Sequence, residues 1–153
     1  MLFRSHSMGG YLLWKSFSLM KEDIKLGKIF FCACDIKVER VQKDYQRMKG
    51  KVVEVINYST KKDSALKYSR LLSSGQTKIG ALGILLKDQD DDLIKNIFVD
   101  DSVSTHDEYF FHTYFNSEEI TMDIFSRIIE LKTDEELGLE KHSSGKGWIL
   151  KRN

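Results

Sequence analysis

The chain has 153 residues, of which 41% are apolar and 31% charged, and its formal net charge is +1. That length suits one domain with a sizeable core, and the ordinary composition excludes a disordered chain. Near-neutral charge without a dense Lys/Arg run argues against a nucleic-acid partner, and no stretch approaches the ~20 apolar residues of a membrane span.

In chain order, Leu2 and Phe3 read as the stub of a strand ending at Arg4. Residues 10–22 place Leu12, Leu13, Ser16, Phe17 and Met20 at helical spacing. Residues 28–36 are nearly continuous apolar, as a parallel strand covered on both faces should be. Cys32 and Cys34 fall in that run and, on a strand, share a face and point the same way. Buried small hydrophobes account for them better than a disulfide or a metal role. Residues 37–49 alternate charge with Val38, Val41, Tyr45 and Met48, an amphipathic helix stopped by Gly50.

Residues 52–58 are a second β-branched strand, and residues 64–73 a helix with Leu66, Tyr68, Leu71 and Leu72 as its apolar members. A short strand over 96–99 follows the acidic loop 88–92. The last helix spans 116–132, with Asn116 as N-cap and Glu119 three residues on, a capping box. The remainder, 133–153, is a polar tail in which Trp148, Ile149 and Leu150 form a docked end. Strands alternating with helices at this spacing imply right-handed crossovers, hence an α/β fold with a parallel sheet of about three to four strands.

Residues 5–9, Ser-His-Ser-Met-Gly, have the form of a nucleophile elbow, G-x-S-x-G, with Ser5 in place of the first glycine. So tight a strand-to-helix turn requires small residues two before and two after the nucleophile, here Ser5 and Gly9, and it projects the Ser7 hydroxyl from the sheet edge. The helix that follows offers the Met8 backbone N–H to a developing oxyanion. Asp63 lies just after a strand end, where it can cap the next helix and orient a histidine at once. Asp35, at the end of the preceding strand, is the rival acid. His106 and His112 both follow the last strand, where the base belongs, and His112 is favoured by its setting among Phe110, Phe111, Tyr114 and Phe115. His6, inside the elbow with its side chain held away from the Ser7 hydroxyl, reads as a group that supports the site from behind the reacting residues or as a packing group, and His142 as a solvated residue of the tail.

These residues resemble a bacterial family of α/β-hydrolases defined only as a domain of unknown function, some of whose members are lipoproteins. The family's A-H-S-M-G elbow answers to residues 5–9, and its strand ending in proline-aspartate to Cys34-Asp35. A tyrosine-serine segment leading to D-x-A-L-x-x-S answers to Tyr58, Ser59, Asp63, Ala65, Leu66 and Ser69. A later R-x-G is echoed by Lys78-Ile79-Gly80, and H-S-Y-F by His112-Thr113-Tyr114-Phe115. The departures are Ser5 for alanine, Cys34 for proline and Thr113 for serine, and none removes a functional group.

The resemblance implies that residues 1–132 are the carboxyl-terminal half of an α/β-hydrolase domain, with Ser7 as nucleophile, Asp63 as acid and His112 as base. It implies a small acyl-ester substrate, no cofactor and no metal. Because the family's sheet has strands before its elbow, the chain is expected to be truncated, to lack one oxyanion donor, and to self-associate through an open sheet edge. The rival reading is a non-catalytic remnant or binding module of the same fold, and a structural interaction domain is a third. Substrate and compartment stay open, since a signal or lipoprotein segment can lie upstream.

Overall fold

The apolar runs pair as strands. The computed structural model describes residues 2–17, 19–21, 23–84, 86, 93–100, 112–145 and 147–151. Within these, β1 (Phe3–His6), β2 (Leu26–Cys32), β3 (Val52–Ser59) and β4 (Ile94–Phe98) run parallel, and β5 (Glu140–Lys141) and β6 (Trp148–Ile149) complete a six-stranded sheet of order β1-β2-β3-β4-β6-β5. The sheet is larger than the expected three to four strands because the tail supplies two. Ile97 and Phe98 pair in parallel with Trp148 and Ile149, and β5 closes antiparallel on β6. Without these residues the outer backbone groups of β4 would lack partners. Gly147 permits the approach, since a Cβ there would lie 2.6 Å from the Asn96 carbonyl oxygen.

β2 is paired on both edges, with Ile29 opposite Phe3 and Val55, and Phe30 opposite Arg4 and Ile56. Its alternate side chains therefore enter two cores. Ile29 and Phe31 pack with Trp14 of α1 (Met8–Ser16), with Phe17 just after it, and with Val41 and Met48 of α2 (Val38–Met48). Phe30 and Cys32 pack with Tyr58, Tyr114, Ile120 and Ile124 on the other face. The connections after β3 carry α3 (Ser64–Leu72) and the short α4 (Ile79–Leu82). A 3₁₀ turn (Tyr114–Asn116), α5 (Glu118–Phe125) and a π-helical turn (Ser126–Glu130) follow β4. No helix among the described residues is long and apolar enough to cross a membrane. The acidic loop 88–92 lies outside the described residues.

Three expectations need correction. α1 ends at Ser16, not Glu22, because the Ser16 hydroxyl donates to the Leu13 carbonyl at 2.7 Å and Phe17 turns into the core. Lys51 Nζ then takes up the Met20 carbonyl at 3.0 Å. The N-cap of α5 is Ser117, whose hydroxyl accepts from the Ile120 N–H, whereas Asn116 closes the 3₁₀ turn. Cys32 and Cys34 do not share a face. The strand stops at Cys32, Ala33 takes a positive φ of 52°, and Cys34 swings into the α1–α2 core. Both thiols are free and buried.

Cys34 also explains Gly10. A Cβ at Gly10 would lie 2.2 Å from Cys34 Sγ and 2.9 Å from its Cβ. Gly10→Ala is therefore expected to destabilise the fold by about 1–3 kcal/mol in urea unfolding, as overpacked cores do. Adding Cys34→Ala should restore part of the loss by removing the nearer atom. Unchanged stability of the single variant would refute the close packing.

Candidate active site

β1 runs directly into Ser7, which takes φ 52° and ψ −126° before α1 begins. A non-glycine residue in this region carries strain of roughly 1–3 kcal/mol and persists only where its surroundings hold it. Here the Ser7 N–H donates to the Cys32 carbonyl at 3.3 Å, and the Ser7 carbonyl accepts from the Gly10 N–H at 3.1 Å and the Asp35 N–H at 3.3 Å. The small flanking residues face one another: a Cβ at Gly9 would stand 3.3 Å from Ser5 Oγ. Met8 opens α1, so its N–H is among the first-turn donors that have no intrahelical acceptor.

Asp63 follows β3 and is buried. Its two carboxylate oxygens take different partners. Oδ1 accepts from the Leu66 N–H at 2.9 Å, capping α3, and Oδ2 accepts from His112 Nδ1 at 2.5 Å. One carboxylate thus caps α3 and holds the imidazole of His112. His112 itself has a left-handed backbone, φ 60°, and its Nε2 is buried without a hydrogen-bond partner among the described residues. With Nδ1 donating to a carboxylate, Nε2 is the basic nitrogen. The structure thus joins Asp63 to His112. No hydrogen bond joins Ser7 Oγ to His112 among the described residues, although the ring of the adjacent His6 lies 4.7 Å from that of His112.

Asp35 is engaged elsewhere. It pairs with Lys78 Nζ at 2.5 Å and accepts from Ser69 Oγ at 2.6 Å. His106, Phe110 and Phe111 lie outside the described residues. His142 pairs through Nδ1 with Ser144 Oγ at 2.7 Å and rests on Phe98, so it packs within the tail more than the sequence suggests. Burial raises the Cys32 thiol to about 11 and the Cys34 thiol well above its ordinary value, which keeps both protonated and unreactive at neutral pH. A cleft of about 690 Å³ at the start of α1 is lined by Met8, Tyr11, Asp35, Lys37, Arg40 and Lys78 among others.

His6 packs as expected, but with particular partners. Its ring stacks on Phe115 with centroids 3.7 Å apart, and its Nε2 meets the His112 carbonyl at 3.3 Å. Burial, reinforced by the neighbouring His112, holds its pKa below the usual imidazole range. Arg4 was not anticipated. It donates to the Phe115 carbonyl at 2.5 Å and to Asn116 Oδ1 at 3.3 Å. The two-residue period of a strand ending just before Ser7 was the available signal, since it sets Arg4 and His6 on one face.

A mostly parallel sheet sandwiched by helices, with a strained serine where the first strand meets its helix, defines the α/β-hydrolase fold. More particularly, the chain belongs to the family described as alpha/beta hydrolase of unknown function (DUF900), whose model matches residues 2–132. No curated protein and no solved structure matches the chain.

Proposed function

We propose that the chain is a serine hydrolase acting on an ester or other acyl substrate, with Ser7 as nucleophile, His112 as general base and Asp63 as the acid that orients it. The observation that carries this reading is the 2.5 Å bond from His112 Nδ1 to the buried Asp63 carboxylate, in a chain whose elbow holds Ser7 at positive φ. His112 Nε2 takes the Ser7 proton as Oγ attacks the acyl carbon. The tetrahedral oxyanion is stabilised by the Met8 N–H at the start of α1. His112 then returns the proton to the leaving alkoxide or thiolate, and a water activated by the same base releases the acid from acyl-Ser7.

A fluorophosphonate probe and p-nitrophenyl esters test this in the natural protein. Ser7→Ala is expected to abolish labelling. His112→Ala should lower turnover by at least about 10³-fold, because triad members act as a unit, while His106→Ala changes it little. The reverse histidine pattern transfers the base to His106. A folded protein that is never labelled at Ser7 is instead a non-catalytic binding module of this fold.

A further inference from the structure

We propose that His6 and Arg4, on the strand that delivers Ser7, are positioning residues for His112, so that β1 sets both the nucleophile and the base. The inference rests on the triad reading above and concerns how the base is held. Successive side chains of a strand alternate, so Arg4 and His6 project from the same face of β1. Both reach the segment 112–116, more than a hundred residues away in the chain. His6 donates its Nε2–H to the His112 carbonyl at 3.3 Å, and Arg4 donates to the Phe115 carbonyl at 2.5 Å and to Asn116 Oδ1 at 3.3 Å. Phe115 is held by both: the His6 ring stacks on it at 3.7 Å, and Arg4 Cζ stands 5.4 Å from its centroid.

His112 needs such support. Its backbone sits at φ 60°, which a non-glycine residue keeps only where its surroundings over-determine it. Asp63 restrains the imidazole through Nδ1 but leaves the backbone free to relax toward ordinary φ, which would carry Nε2 away. The His6 bond restrains the other end, at the carbonyl. A carbonyl only accepts, so the bond requires a proton on His6 Nε2. Burial beside His112 disfavours a charged His6, which leaves the neutral tautomer with its proton on Nε2. Displacing a reacting group by about 1 Å can lower a rate 10²-fold, so a hydrogen bond remote from the chemistry has leverage over kcat.

The test compares His6→Phe, which keeps the stack on Phe115 and loses the donor, with His6→Gln, whose amide nitrogen reaches the position of Nε2. Three readouts are taken: steady-state kinetics on p-nitrophenyl esters, the rate of fluorophosphonate labelling at Ser7, and the far-downfield proton resonance of the His112–Asp63 bond. The resonance is also recorded in a Ser7→Ala background. His6→Phe is expected to lower kcat about 10- to 100-fold at unchanged KM and to broaden the resonance, with His6→Gln returning kcat to within about 3-fold. Arg4→Met, at an exposed site, should lower kcat about 3- to 10-fold in the same direction. Equal activity of His6→Phe and the parent overturns the proposal, as does equal impairment of His6→Phe and His6→Gln. If the parent is neither labelled nor active, the triad reading fails. The resonance then decides positioning alone: sharp in the parent and broadened by His6→Phe supports it, and unchanged overturns it.

Discussion

Asp63→Asn is expected to lower kcat about 10⁴-fold while leaving the melting temperature nearly unchanged. The two effects separate because the carboxylate has two tasks on two oxygens. Oδ1 caps α3 by accepting from the Leu66 N–H, and asparagine caps a helix as well as aspartate does. Oδ2 receives the His112 Nδ1 proton at 2.5 Å. An amide nitrogen at that position donates, which forces His112 into the opposite tautomer and leaves Nε2 carrying a proton when, in the proposed triad, it would accept one from Ser7. Asp63→Ala should show the same loss of turnover together with a further loss of about 1 kcal/mol in stability, from the missing cap. The measurement is turnover of a p-nitrophenyl ester beside thermal unfolding of each variant. Near-parental activity of Asp63→Asn would mean that another acid orients the base.

The largest stability effect is expected from Arg127→Met. Arg127 is 1% exposed and lies in the π-helical turn after α5. Its Nε donates to Asp123 Oδ2 at 2.8 Å, and its Nη1 pairs with Asp134 Oδ1 at 2.7 Å. The Tyr58 hydroxyl also donates to Asp123, and Lys95 bridges Asp134 at 2.9 Å and Glu54 at 3.1 Å. This network fastens α5 and the tail to β3 and β4. Methionine fills much of the volume but leaves Asp123 buried with no cation among the described residues. Breaking a buried pair from one side costs about 3–5 kcal/mol, a large part of a typical total of about 5–15 kcal/mol. Urea unfolding at pH 7 measures it, and a loss under about 1 kcal/mol would show that the network is dispensable.

The same network predicts an acid response. Burial alone would raise the pKa of Asp134, but its hydrogen bonds with Lys95 and Arg127 outweigh burial and hold it below the usual carboxylate value. A depressed folded pKa contributes stability that is fully present above the unfolded value of about 4 and is lost as pH falls through the folded value. Arg127→Met should therefore flatten the fall in stability below about pH 4, since Asp134 then sits closer to its unfolded pKa.

The sequence by itself determined the local elements. Val38, Val41, Tyr45 and Met48 recur at helical spacing and become the inner face of α2, with Gly50 at φ 85° as its stop. The tight strand-to-helix turn at Ser7 was legible because its rule is steric and local: Ser5 and Gly9 must be small for the chain to turn there. Asp63 was legible as a cap for the same reason, since an N-cap is defined within four residues. What the tertiary structure decided are the meetings between segments far apart in the chain. It put Lys78 and Ser69 on Asp35 and His112 on Asp63, and it turned Cys34 away from the face of Cys32. It also brought Arg4 and His6 to Phe115 and His112, Arg127 to Asp134, and Trp148 to the edge of β4. Periodicity and caps report one segment's preference for water or core. Which partners meet depends on the order in which the crossovers lay strands side by side, and no single segment carries that order.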